Sequence, residues 1–287
     1  MQTRREFIGS ALLTTAGVVL SCAAESSRWQ IGCYTRPWDQ YDWRVALDGI
    51  AEAGYKYAGL MTAKTGDVIT VKTTMDEAAT IGGEARKRGL KITSIYGGGF
   101  PLDNTDGLKR LIDNSAACSC PNLLLGGTDE KHSDAYYKII ADCCEYAVGK
   151  NIGLSVKPHG GNNANGVQCR KLVEKVGHKN FRIWYDPGNI FYYSDGKLNP
   201  VDDAATVGGL VVGMSVKDFC LPKNVMVTPG TGQVNFAQVF ARLEQGGFTS
   251  GPLIVECVER GDVAHITAEA KRARQFLENV LKCLALV

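Results

Sequence analysis

The chain lacks a membrane-length apolar run. Its N-terminal apolar stretch, Ala11 to Leu20, is about half of the ~20 residues that a bilayer-spanning helix requires. A basic tract is also missing: 32 Lys and Arg stand against 30 Asp and Glu, for a net charge of +2 over 287 residues. Nothing here would track a phosphate backbone, which argues against nucleic acid as a partner. No glycine-rich dinucleotide fingerprint follows the first apolar run, since Gly32-Cys33-Tyr34-Thr35 has the wrong spacing. No proline- or serine-rich linker divides the chain, so one domain is expected. Cysteine is abundant, at ten residues, but Cys118-Ser119-Cys120 has no second Cys or His pair at finger spacing, which excludes a zinc finger. Cys33, Cys143, Cys144, Cys169, Cys257 and Cys283 lie in apolar patterns and are expected as free, buried thiols rather than disulfides.

The N-terminus reads as an address. Arg4-Arg5-Glu6-Phe7-Ile8, followed by the short apolar run, resembles a twin-arginine export signal covering residues 1–24. The alternative is an amphipathic N-terminal helix of the mature fold. Val19-Leu20-Ser21-Cys22 also resembles a lipobox, in which Cys22 would bear a lipid and supply the only membrane attachment; ordinary cleavage around Ala23-Ala24 is the other outcome. Either way the expected location is the periplasm or its membrane surface.

Residues 25–287 alternate between two patterns. Short apolar runs at Gln30–Tyr34, Tyr57–Met61, Lys91–Tyr96, Asn122–Gly126, Gly153–Lys157, Arg182–Asp186, Val211–Lys217 and Pro252–Glu256 suit buried parallel strands. Between them, helical spacing runs from Trp43 to Gly54, Met75 to Gly89, Ala135 to Gly149, Phe236 to Gly246 and Ile266 to Leu281. Eight strands with intervening helices predict an α/β fold, a single (β/α)8 TIM barrel.

Such a barrel builds its site at the C-terminal strand ends. The first four runs end mainly in small or hydroxyl residues. The last four end in Lys157-Pro158-His159, Asp186-Pro187-Gly188-Asn189, Lys217-Asp218 and Glu256, so ionisable groups converge on the second half. These segments, with Ala46-Leu47-Asp48-Gly49-Ile50-Ala51-Glu52-Ala53-Gly54-Tyr55 near the start, resemble the xylose-isomerase-like sugar isomerases and epimerases. The resemblance covers nearly all of the mature chain and implies a small-molecule carbohydrate as partner.

It also implies four metal ligands, Glu, Asp, His and Glu, from strands five to eight. Asp186 and Glu256 match. Lys157 stands where the first Glu belongs, Ser215 where the His belongs, and Asn189 replaces a further His. A protonated lysine has no lone pair for Mn, Mg or Zn. Two arrangements follow: either Lys157 replaces the metal as local cation, or His159 joins Asp186 and Glu256 as a reduced three-ligand site. The expected chemistry is proton abstraction next to a carbonyl, leading to isomerisation, epimerisation or elimination. Lys157 or Glu256 would be the base, His159 the proton shuttle, and Asp186 the holder of the cation. Asn189, Lys217, Trp38 and Tyr193 are candidate sugar contacts, the two aromatics as stacking platforms; the alternatives are a turn cap for Asn189, a structural salt bridge for Lys217, and packing, the commoner role for such aromatics, for Trp38. The rival reading is a barrel without catalysis that binds a glycan or a partner protein. Thr228-Pro229-Gly230-Thr231-Gly232 lies where barrels build phosphate sites, but it contains no Lys or Arg.

Overall fold

The computed structural model describes residues 28–285. The twin-arginine pair, Cys22 and the 1–24 boundary lie outside them. Eight parallel strands close into one barrel: β1 (Trp29–Tyr34), β2 (Tyr57–Leu60), β3 (Lys91–Tyr96), β4 (Asn122–Leu125), β5 (Gly153–Val156), β6 (Phe181–Tyr185), β7 (Val211–Val216) and β8 (Gly251–Val255). Closure is made by β1 against β8, in register from Trp29↔Gly251 to Cys33↔Val255.

Nine α-helices cover the outside of the described barrel: α1 (Trp43–Glu52), α2 (Met75–Lys87), α3 (Asp106–Ala117), α4 (Ser133–Gly149), α5 (Gly166–Val176), α6 (Pro187–Tyr193), α7 (Pro200–Ala205), α8 (Phe236–Gln245) and α9 (Val263–Ala285). Their starts follow local chemistry. Thr74 and Glu77 form a reciprocal capping box on α2, and Asn165 caps α5 through the Gln168 amide. Helix α4 departs from expectation. Gly149 lies inside it, and the reversal falls to Asn151 at φ 58°; asparagine tolerates that region better than most residues. Helices α3 and α5 were not read from the sequence, although Leu108, Leu111 and Ile112 mark a buried face at helical spacing. Among the described residues no helix is long and apolar enough to cross a membrane.

Two cores result. The larger lies between strands and helices. The smaller fills the barrel interior with Tyr34, Met61, Leu124, Trp184 and Ile254. Trp184 makes its room through Gly213, where a Cβ would come within 2.2 Å of the indole. All nine cysteines of the described residues are free; seven are buried, Cys220 is half-buried, and Cys283 is exposed rather than buried as expected, because it falls on the outer face of α9.

Every expected strand in the second half stops one residue early. Lys157, Asp186, Lys217 and Glu256 each stand immediately after β5, β6, β7 and β8. Alternation along a strand places them on the same side as Ser155, Trp184, Ser215 and Ile254, two residues earlier. They therefore form the layer above the interior core, facing the barrel mouth.

Candidate active site

Four charged side chains from adjacent strands meet in this layer, and all are 0–2% exposed. The Lys157 ammonium donates to Asp186 Oδ2 at 3.1 Å and to Glu256 Oε2 at 2.6 Å. Lys217 contacts Asp186 Oδ2 at 3.1 Å and Glu256 Oε1 at 2.6 Å, and donates to Asn189 Oδ1 at 3.0 Å. A fifth group arrives from the first half of the barrel: Arg36, just past β1, donates to Glu256 Oε1 at 2.6 Å. Three cations thus face two carboxylates, an excess of one positive charge (3 − 2 = +1).

Position against the cavity separates the two lysines. An ammonium carries three N–H groups. Each lysine donates two hydrogen bonds, the third close contact of Lys217 being an ion pair with Glu256 Oε1, so Lys157 keeps one N–H outside its hydrogen bonds. That remaining proton has a destination, because Lys157 lines a cavity of about 390 Å³ together with Arg36, Tyr96, His159 and Glu256. The hairpin Thr62–Ala63/Gly66–Asp67, which follows β2, supplies part of the same wall.

Electrostatics follow from burial and these pairs. Burial alone would push the Glu256 carboxyl up; Lys157, Lys217 and Arg36 outweigh it and hold it well below the ordinary carboxylate range. His159, half-buried at the cavity, is driven down to about 4, first by burial and then by Lys157 and Lys217, against smaller upward pulls from Glu256 and Asp186. Its imidazole is neutral at pH 7, and the ring makes no hydrogen bond among the described residues. Its backbone N–H is tied to the Asn163 carbonyl at 2.8 Å, which fixes the turn.

The donor set does not suit a divalent metal. Asp186 Oδ1 accepts the Asn189 amide, its Oδ2 takes both lysines, and each Glu256 oxygen already faces a cation. Among the described residues no three His, Cys, Asp or Glu side chains form a group that could hold a metal. His159, Asp186 and Glu256 are therefore not a three-ligand site, because ammonium groups stand where a metal would need open carboxylate oxygens.

Several sugar contacts also need correcting. Trp38 is fully buried: the short 3-10 turn Arg36–Trp38 folds its indole onto α1, where a Cβ on Gly49 would come within 2.7 Å of the ring. It is a packing residue. Asn189 spends its side-chain amide on the protein, donating to the Pro158 carbonyl at 2.6 Å and accepting from Lys217. Asn189 and Lys217 position the cluster from below rather than reaching the cavity. Tyr193 stays at the mouth, its ring 5.7 Å from that of His159. Asp218 accepts four backbone amides, from Phe219, Gly230, Gly232 and Val234, and the Thr231 amide is bound to the Thr228 carbonyl, so the amides of residues 230–232 are already taken up. Arg36 and Tyr96 were not singled out from the sequence. Arg36 could have been, as a cation standing two residues past the first strand.

Comparison with known proteins agrees with this geometry. Over 117 residues the chain is 31% identical to a probable L-ribulose-5-phosphate 3-epimerase of Mycoplasma pneumoniae, a match covering 39% of this chain and 37% of that protein. It superposes on a xylose isomerase domain protein from Planctomyces limnophilus with a TM-score of 0.68 at 17% identity, covering 84% of this chain and 94% of that one. A D-psicose 3-epimerase gives 0.67 at 16% identity, covering 88% and 99%. These structural likenesses speak for the fold. The family model described as "Xylose isomerase-like TIM barrel" matches residues 47–280, and the chain belongs to that family.

Proposed function

We propose that this protein catalyses proton transfer at the carbon next to a carbonyl in a keto-sugar, with fixed ammonium and guanidinium groups in place of a metal. The observation that carries this reading is the unspent Lys157 N–H at the cavity floor, beside a neutral imidazole. The substrate carbonyl oxygen accepts from Lys157. His159 takes the C–H proton through a free ring nitrogen, and the electron pair moves onto the carbonyl oxygen as an enediolate. The excess positive charge of the cluster stabilises that oxyanion. Delivery of a proton to the former carbonyl carbon completes isomerisation, and delivery to the opposite face of the original carbon completes epimerisation; loss of a β-substituent would give elimination. Glu256 is unsuited as the base, since both its oxygens are engaged and its carboxyl is held strongly acidic. Carbohydrate chemistry is supported by family membership and by the sugar epimerases among the similar proteins.

The test is solvent exchange. D-Fructose or D-psicose incubated with the protein in D2O should lose the C3 proton signal by NMR, and chelator should leave the rate unchanged. His159→Ala should lower the rate by about 10²- to 10⁴-fold. With the base free above about pH 4, kcat/KM should stay level down to pH 5 and fall only as the imidazole protonates near 4. Absence of exchange with any ketose, or a His159→Ala variant as fast as wild type, would overturn the proposal.

Export to the periplasm, with or without a lipid on Cys22, is part of the same reading and rests on Arg4-Arg5 and the apolar run after them. Replacing both arginines by lysine should leave the protein in the cytoplasm on fractionation. Unchanged export would remove the twin-arginine route.

A further inference from the structure

Two cationic groups at the cavity have donors to spare, and they stand side by side. Arg36 and Lys157 grip different oxygens of the one Glu256 carboxylate. The Arg36 side chain is 29% exposed, and among the described residues Glu256 is the only partner of its five N–H groups. No acid outside the cluster is paired with Arg36 or Lys157 among the described residues. Asp39 is paired with Arg260 at 3.2 Å, and Asp186 is already counted within the cluster. Asp67, on the hairpin, makes no hydrogen bond or ion pair with the cluster among the described residues. A neutral sugar would use these donors but leave the positive charge unmatched. A planar carboxylate fits the guanidinium fork and supplies one negative charge, whereas a phosphate dianion would overshoot it.

We infer that the site takes a 2-keto sugar acid, with its carboxylate on Arg36 and its neighbouring carbonyl oxygen on Lys157. The inference rests on the proposed carbonyl chemistry but is tested by binding alone. Calorimetry at pH 7 in low salt would compare 2-keto-D-gluconate, D-fructose and D-fructose 1-phosphate, which share the C2 carbonyl and differ at C1. The keto acid should bind at least about tenfold more tightly than fructose. Arg36→Met should reduce that preference to within about twofold. Arg36→Lys keeps the ion pair to Glu256 and serves if the methionine variant does not fold; losing the fork should still cut the preference about threefold or more. Equal binding of keto acid and fructose, a preference that survives loss of Arg36, or tighter binding of the phosphate would each overturn the inference. Failed C–H exchange with an intact acid preference would instead sink the catalytic proposal and leave this one standing.

Discussion

Glu256→Gln is expected to destabilise the fold by about 3–5 kcal/mol, read as a lower denaturant midpoint at unchanged slope. The wild-type layer holds three cations and two carboxylates with almost no water access. Glutamine keeps the shape of the side chain but removes one negative charge, so the buried excess rises from +1 to +2 (3 − 1). Lys157, Lys217 and Arg36 then share only Asp186. The effect should shrink in acid. The Glu256 carboxyl lies lower in the folded state than its ordinary value near 4.3, so its contribution is complete above that value and is lost as pH falls below it. Lys157→Met offers the contrast. It brings the cluster to neutrality (2 − 2 = 0) and leaves each carboxylate with a cation, Lys217 on Asp186 and Arg36 with Lys217 on Glu256. Its folding cost should be the smaller of the two. Equal costs would show that net charge does not govern this layer.

Lys157→Met should have its large effect on catalysis, with a loss of about 10²- to 10³-fold in the exchange rate. The lost N–H is the one aimed at the carbonyl oxygen, and its hydrogen bond strengthens as negative charge develops there. The loss should therefore fall on kcat more than on KM. Lys217 is held by hydrogen bonds to Asp186 and Asn189 and an ion pair to Glu256, and it does not line the cavity, so it acts only by positioning the cluster. Lys217→Met should cost less than Lys157→Met in rate once folded. A Lys157→Met protein that is folded and exchanges at the wild-type rate would end the assignment of this ammonium to the reacting oxygen.

Much of the barrel was legible because its strands are local signals. Runs such as Leu253-Ile254-Val255 are buried on both faces and read as continuous apolar stretches, whatever packs around them. The charged residue that ends each run could be found by the same means, and so could the mismatch of Lys157 with metal chemistry. Partners were less legible. Arg36 is 220 residues from Glu256, and only closure of β1 on β8 brings them together. Trp38 was open between stacking and packing for a related reason: an aromatic near a strand end can turn outward or inward, and the room left by Gly49 on α1 turned it inward.

The sequence by itself determined the eight-strand repeat, the strand ends that carry charge, and the replacement of two family ligand positions by Lys157 and Ser215. The first two follow from residue type and spacing along the chain; the third is what the family resemblance implies. Only the tertiary structure decided how the charges divide: Lys217 enclosed by Asp186, Glu256 and Asn189, Lys157 placed at the cavity, Arg36 recruited from the far end of the chain, and the His159 ring left without a hydrogen bond among the described residues. Hydrogen-bond satisfaction and net charge in a buried layer depend on which side chains share a few ångströms, and closure of the barrel sets that sharing.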